Sequence, residues 1–390
     1  MIPRKTSHFP RGLSESGLLS DRSPRHWDGY FGDRGIMDLQ RKVQEVLDRA
    51  VNEGMECGCQ AALFINGKLE VNAFAGWTDW TRSQKVDENT IFPIYSTGKA
   101  PSSTVIHRLV ETGILSYHTR IADFWPEFGC NGKEKMEVWH VLSYRAGLFN
   151  IPESTQEERA DFQVMTAKMA KAAPAYEIGS KQQYHPWTYG WLTGGIACHV
   201  LNDPDYQGIF RKFVGKPAGM DRFFYGIDPK KERNAAMLVP SKTGASYSQT
   251  AIDNMNDPMN RAGCNPSTGA MSNALSVARH YAALDSGLLS AETMEEVSHS
   301  WRGEDDPMPL VKGRWELFGL GYVLSGPSDD VSRIIGHGGI GGSEGLLDRK
   351  RHYAIAITRN CFADPNVLVP FYQAVDFKNR DWPDTSEIPN

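Results

Sequence analysis

Ser96-Thr97-Gly98-Lys99 is the sharpest chemical signal in this chain. It is the one Ser-x-x-Lys in 390 residues, and it sits where a short apolar stretch, 91–95, gives way to a helical pattern. Three residues along a helix is a neighbour spacing, so Lys99 can reach the Ser96 hydroxyl. A serine at a helix N-terminus also has unpaired N–H groups and the positive end of the helix dipole close by, which favour a developing anion. An amine held in dry surroundings beside other cations loses proton affinity and can serve as a base. The chemistry these letters could support is nucleophilic attack on a carbonyl.

A second stretch, Tyr184-His185-Pro186-Trp187-Thr188-Tyr189-Gly190-Trp191-Leu192, opens another helical pattern. A phenol beside cations can shuttle a proton, although tyrosine ordinarily titrates near pH ~10. Packing in the core is the competing reading of Tyr184, and Trp187 reads either as packing or as a wall of an acyl pocket. The third stretch is Ile335-Gly336-His337-Gly338-Gly339-Ile340-Gly341-Gly342. Glycine lets a substrate approach the backbone closely, so main-chain N–H groups from Gly338 to Ile340 could hold an oxyanion. An ordinary glycine-rich turn would carry the same letters.

Two look-alikes compete with these stretches. Lys242-Thr243-Gly244 lies in a polar segment that follows Pro240 and reads as a loop. Gly341-Gly342-Ser343-Glu344-Gly345 has the letters of a nucleophile elbow. That elbow needs a helix next and a downstream acid and histidine, whereas a hairpin pattern follows here. No HExxH, no completed Cys/His set and no Gly-x-Gly-x-x-Gly between strand and helix occurs, so neither a metal nor a nucleotide cofactor is expected.

Positioning those residues requires a scaffold, and its outline is legible in the periodicity. Helical spacing holds over 36–50, with Gly54 as a stop, and Asn66-Gly67 between 60–65 and 69–75 signals a hairpin. Helices are expected after residue 97 to near Gly113, and over 160–172, 187–201, 272–285 and 367–377. Strands are expected over 317–324, 332–335, 345–348 and 353–358. Residues 1–33, rich in Arg, Ser, Gly and Pro, read as an N-terminal extension. A single α+β domain is expected over 34–385. Its sheet lobe would draw on 34–96 and 315–378, with 97–314 inserted as a helical lobe.

Composition narrows the field. Forty-two Lys and Arg stand against 47 Asp and Glu, a net charge of −5, so the chain has no general pull toward nucleic acid or anionic lipid. Hydrophobic residues are 40% and charged residues 23%, a globular balance. No run approaches the ~18–20 apolar residues of a spanning helix, and residues 1–20 lack a continuous apolar core of a signal peptide. Six cysteines without a CxxC pair read as reduced structural thiols. Together these features point to a cytoplasmic protein without nucleic-acid or membrane partners; oligomeric state is left open.

In order along the chain, these motifs resemble the serine β-lactamase and penicillin-binding-protein superfamily. The stretches at Tyr184 and at His337 are similar to its class C-like branch of esterases, transesterases and D-amino-acid peptidases. Val141-Leu142-Ser143-Tyr144-Arg145-Ala146-Gly147-Leu148, Gly215-Lys216-Pro217-Ala218-Gly219-Met220 and Asn265-Pro266-Ser267-Thr268-Gly269-Ala270-Met271-Ser272 resemble further segments of that branch. The resemblance runs from about 38 to 375. It implies a mainly antiparallel sheet flanked by helices plus a helical lobe. It also implies Ser96 as nucleophile, Lys99 and Tyr184 as the base, and the Ser96 and Ile340 N–H groups as the oxyanion hole. His337 would orient the substrate or donate to it.

Two departures matter. His337 stands where antibiotic-hydrolysing members carry lysine, and Pro186 stands where they carry asparagine. The resemblance therefore implies an ester or small-amide hydrolase with weak or no β-lactamase activity. An acyltransferase in a biosynthetic pathway and a non-catalytic scaffold of the same fold are the alternatives.

Overall fold

A computed structural model describes residues 33–377, apart from 229–231, 244–246, 304–309, 312–313, 316, 328 and 363–367. The expected extension falls outside the described residues except for Asp33, which opens the first helix. The stretch beyond 377 of the expected domain also lies outside them.

Period-two alternation builds the main sheet. The hairpin of β1 (Gly58–Ile65) and β2 (Lys68–Gly76) turns at Asn66-Gly67, as expected. Three short strands, β3 (Phe92–Pro93), β4 (Phe223–Tyr225) and β5 (Ala270–Ser272), form a separate sheet in the order β3-β5-β4. The strands β6 (Leu310–Val311) and β7 (Arg314–Trp315) pair with each other. Then β8 (Leu317–Phe318), β9 (Val323–Leu324), β10 (Ile334–Gly338), β11 (Glu344–Asp348) and β12 (Tyr353–Arg359) complete the large sheet. Its order is β2-β1-β12-β11-β10-β9-β8, antiparallel at every pairing. Strands from the two ends of the chain therefore meet at β1 and β12.

Each face of this sheet carries its own core. Ala61, Leu63, Ile355 and Ile357 point to one side, under Val43, Leu47 and Ala50 of the helix Asp33–Asn52 and Phe371 of the helix Leu368–Ala374. The alternate positions Ala62, Ala354 and Ala356 point to the other, against Val277 and Tyr281 of the helix Ala274–Asp285. A one-residue slip would carry Leu63, Ile355 and Ile357 to the face that takes alanines, so this alternation fixes the register.

The helix Lys99–Glu111 runs through the larger core and is buried on nearly every side. Its polar side chains are bonded internally. Ser102 bonds Tyr206 at 2.7 Å, Ser103 bonds Tyr189 at 2.6 Å, and Thr104 bonds His280 at 2.8 Å. A buried polar group needs such a partner, so these bonds hold the helix in one rotation about its axis.

Several elements differ from their sequence pattern. The stretch 317–324 is two short strands rather than one, because Gly321 at φ +83° turns the chain back between β8 and β9. In the apolar stretch 91–95, Ile91 bridges to Ala235, Phe92 and Pro93 pair with β5, and the strand ends before Tyr95, which adopts φ +46°. The helix expected over 160–172 is two, Gln156–Ala160 and Phe162–Lys171. They are separated at Asp161, whose carboxylate accepts from the Gln163 and Val164 N–H groups as a helix cap. Ser248 caps the helix Gln249–Asn256 in a stretch that reads as polar loop. Among the described residues no helix is long and apolar enough to cross a membrane, and all six cysteines are free.

Candidate active site

Ser96 lies in a single 3-10 turn, Tyr95–Gly98, between β3 and the buried helix. Three bonds clamp that turn. Ile94 N–H donates to Ala270 O at 2.9 Å, Thr97 N–H to Ile94 O at 3.1 Å, and the Tyr225 hydroxyl to Gly98 O at 2.6 Å. The left-handed backbone at Tyr95 is costly for a residue with a β-carbon, and it sits directly before the serine. The result leaves Ser96 half-buried while Lys99, the first residue of the helix, is wholly buried.

The Ser96 oxygen is the meeting point of two side chains. Lys99 Nζ donates to it at 2.8 Å and the Tyr184 hydroxyl at 2.9 Å. Lys99 also donates to Pro186 O at 2.8 Å and Ser267 O at 3.2 Å, and its ammonium lies 5.0 Å from the centre of the Tyr184 ring. Pro186 thus contributes its carbonyl to the lysine. Tyr184 is held from behind by the rings of Tyr144 at 5.3 Å and Phe318 at 5.7 Å.

The strand β10 brings the glycine-rich segment alongside. His337 is 3% exposed, and its ring lies 6.1 Å from that of Tyr184. Burial, reinforced by the nearby Lys99 cation, pushes its pKa down to about 3, so the ring is neutral near pH 7. Nδ1–H donates to Gly338 O at 2.9 Å, which leaves the buried, unpartnered Nε2 as an acceptor. Gly338 is exposed, and Gly339 and Ile340 are half-buried. At Gly339 a Cβ would stand 2.2 Å from Ile94 O, so only glycine permits this approach to the serine-bearing turn.

Neighbouring side chains lock the same segment. The Thr97 hydroxyl donates to Ser343 O at 2.8 Å, and Arg359 Nη1 to Gly341 O at 2.5 Å. Arg359 is itself buried against Glu56, with Nε donating at 2.7 Å, and burial pushes the Glu56 carboxyl up from its ordinary range.

Trp187, at the start of the helix Thr188–Leu201, lines two cavities rather than the hydroxyl itself. His185 is buried, with Nδ1–H donating to Gln183 O at 2.5 Å and Nε2 accepting from Leu148 N–H at 3.1 Å. Burial moves its pKa down to about 4, so it braces the loop. Of the look-alikes, Lys242 stacks on Trp80 at 3.8 Å, while Gly244 lies outside the described residues. Ser343 is 2% exposed and accepts Arg359 N–H at 3.3 Å.

Sequence reasoning did not find the carbonyls of Pro186 and Ser267, which bind the lysine, nor the bracing ring of Tyr144. The stretches around Ser143 and Ser267 stood out as motifs. Their contributions run through main-chain atoms or packing, which residue letters do not announce.

Known proteins share this architecture. The family profile described as Beta-lactamase matches residues 47–374. The esterase/beta-lactamase LipL of Mycobacterium tuberculosis is 28% identical over 343 residues, which span 80% of this chain and 79% of LipL. The crystal structure of a family VIII carboxylesterase superposes with a TM-score of 0.76 at 26% identity, covering 86% of this chain and 96% of that one. A penicillin-binding-protein homologue from Caulobacter crescentus gives 0.74 at 26% identity, covering 87% and 97%. With the profile spanning most of its length and a serine, a lysine and a tyrosine joined at one hydroxyl, the chain belongs to the beta-lactamase family.

Proposed function

We propose that the protein is a serine hydrolase of esters or small amides that works through an acyl-enzyme on Ser96. The observation that carries this reading is the pair of hydrogen bonds meeting at the Ser96 hydroxyl, from Lys99 and from Tyr184. In the reactive protonation state the pair has given up one proton, and the Tyr184 oxygen accepts the one on Ser96 Oγ as that oxygen attacks the carbonyl. Lys99 holds positive charge against the oxygens that become negative in turn. The Ser96 and Ile340 N–H groups receive the oxyanion, with Gly338 and Gly339 keeping the edge of the site open to substrate. Tyr184 then protonates the leaving group, and water resolves the acyl-enzyme.

His337 is neutral here and offers an acceptor, so it supplies no cation for the carboxylate of a β-lactam. Esters are therefore the better substrates. Intact-protein mass after brief exposure to a p-nitrophenyl ester should show one acyl adduct that is absent from Ser96→Ala. Nitrocefin-type β-lactams should give a lower kcat/KM than the ester. Adduct formation undiminished in Ser96→Ala would remove the assignment.

A further inference from the structure

Beside the serine-bearing turn lies a cavity of ≈ 440 Å³, walled in part by Tyr95, Arg159, Trp187, Arg261 and Asn265. Three of these adjoin the reactive cluster in sequence: Tyr95 precedes Ser96, Trp187 follows Pro186, and Asn265 stands two before Ser267. Two arginines line the cavity, and among the described residues no Asp or Glu does.

Arg261 is an unusual wall residue because it is only 6% exposed. Nη2 donates to Ala236 O at 3.1 Å, Nη1 lies 2.8 Å from Met237 Sδ, and Nε has no partner. The titratable group facing it is the Tyr95 phenol, which is 4% exposed and whose oxygen is also unpartnered. Arg159 is half-buried at the same wall and donates to Ser154 O at 2.6 Å. Its helix neighbour Glu158 is engaged by Lys168 at 2.8 Å. A guanidinium withdrawn from water without a counter-charge is costly, and so is a buried hydroxyl without a partner. One planar anion accepting from Arg261 Nε–H and the Tyr95 hydroxyl would relieve both, and carboxylate is the shape that a guanidinium recognises best.

We propose that this cavity is a carboxylate subsite, so that the preferred substrate of Ser96 is an ester that carries a carboxylate. The proposal rests on the serine-hydrolase reading. Arg261 and Tyr95 bind the carboxylate directly, and Arg159 adds positive charge at the edge. All three position substrate and take no part in bond making.

The test compares charged esters with neutral counterparts. p-Nitrophenyl hemiglutarate carries the charge on the acyl side and is set against p-nitrophenyl valerate. 4-Acetoxybenzoate carries it on the leaving group and is set against phenyl acetate. At least one charged ester should exceed its neutral counterpart by about tenfold in kcat/KM, and which one does so tells which half of the substrate the cavity holds. That ratio should fall several-fold in Tyr95→Phe and in Arg159→Gln, and to about one in Arg261→Gln. If Arg261→Gln does not fold, the first two variants decide. A wild-type ratio at or below one for both pairs, or a ratio untouched by Tyr95→Phe and Arg159→Gln, overturns the subsite.

A binding readout separates the two ideas. Glutarate, but not glutaramide, should raise the Tm of the Ser96→Ala protein. Esters turned over without charge preference, and no glutarate shift, would end the subsite and leave the hydrolase. A glutarate shift in a protein whose wild type acylates no ester would do the reverse.

Discussion

Ser96 and Ser343 occupy turns that touch, since the Thr97 hydroxyl bonds the Ser343 carbonyl and Gly339 packs on the carbonyl of Ile94. Both stand close to glycine in sequence, and both carry letters of a known nucleophile motif. Their hydroxyls live in different surroundings. That of Ser343 is buried and spends itself on the N–H of Arg359. That of Ser96 is half-open, with an amine and a phenol on one oxygen. A serine reacts because of what its hydroxyl is bonded to and because a carbonyl can reach it, and the letters around it secure neither.

The widest separation between the two is expected from alanine. Ser96→Ala should cut kcat/KM for a short ester by about 10³-fold or more, as removal of a nucleophile from a concerted site does. Ser343→Ala should leave that rate within about twofold, because a surface or satisfied hydroxyl contributes little to turnover. Equal losses in steady-state assays would erase the contrast.

A smaller step tests what activates Ser96. Tyr184→Phe keeps the ring between Tyr144 and Phe318 but removes the hydroxyl proposed to carry the proton, and should lower kcat by about 10²-fold, the usual worth of general acid–base assistance. The pH–rate profile should change with it if the Lys99–Tyr184 pair is the base, since the limb would belong to that pair. An unchanged rate and profile would return the tyrosine to the core. Tyr189 would not take its place, because its hydroxyl is buried against Ser103.

Acid should act on the surroundings of Ser96 through the histidines. Burial holds His107, His280 and His337 down at about 3 and His185 at about 4, with Lys99 reinforcing the last two. Each folded pKa lies below the unfolded value, so the unfolded chain binds the extra proton first. Their neutral-form stability is therefore present above pH ~6.5 and is lost as pH falls from there toward the folded values. At pH 5 the loss is about 2 kcal/mol per histidine. Urea unfolding at pH 7 and pH 5 should show it, and His107→Leu should flatten the difference by about that amount. An unaltered difference would place the acid sensitivity outside His107. The Asp348 carboxylate acts only in stronger acid: burial raises it, but Arg333 and two backbone N–H groups bring it below its ordinary range, so its stabilisation is lost only as pH falls below about 4.

Local patterns were readable in the sequence, and cross-chain ones were not. The Asn66-Gly67 hairpin and the alternation in β12 come from neighbours in sequence, and the Ser96–Lys99 pair comes from helix spacing. Tyr184 could be tied to them only through resemblance to a family, because 88 positions separate it from Ser96. Arg261 gave no signal at all. It sits on the five-residue helix Pro258–Ala262, too short for a period, and its burial depends on Tyr95 and Ala236 arriving from elsewhere. The split of 317–324 was hidden for a similar reason, since apolar letters on either side of a turning glycine look continuous.

The pairing of β1 with β12 inside the sheet sets an order on biosynthesis. Gly58 N–H bonds the side chain of Asn360 across 302 positions, and Cys59 faces Arg359 in the register. A nascent chain that ends before Tyr353 lacks β12, so its β1–β2 hairpin has no strand to join it to the rest of the sheet. The segment that carries Ser96 is made well before the glycine-rich edge that packs on it, since Thr97 and the Ser343 carbonyl it bonds are 246 positions apart. A contact of such long range delays closure of the sheet. Until it forms, the apolar faces of β1 are open to wrong partners, which makes the interval before β12 is made the one in which this protein has most need of a chaperone.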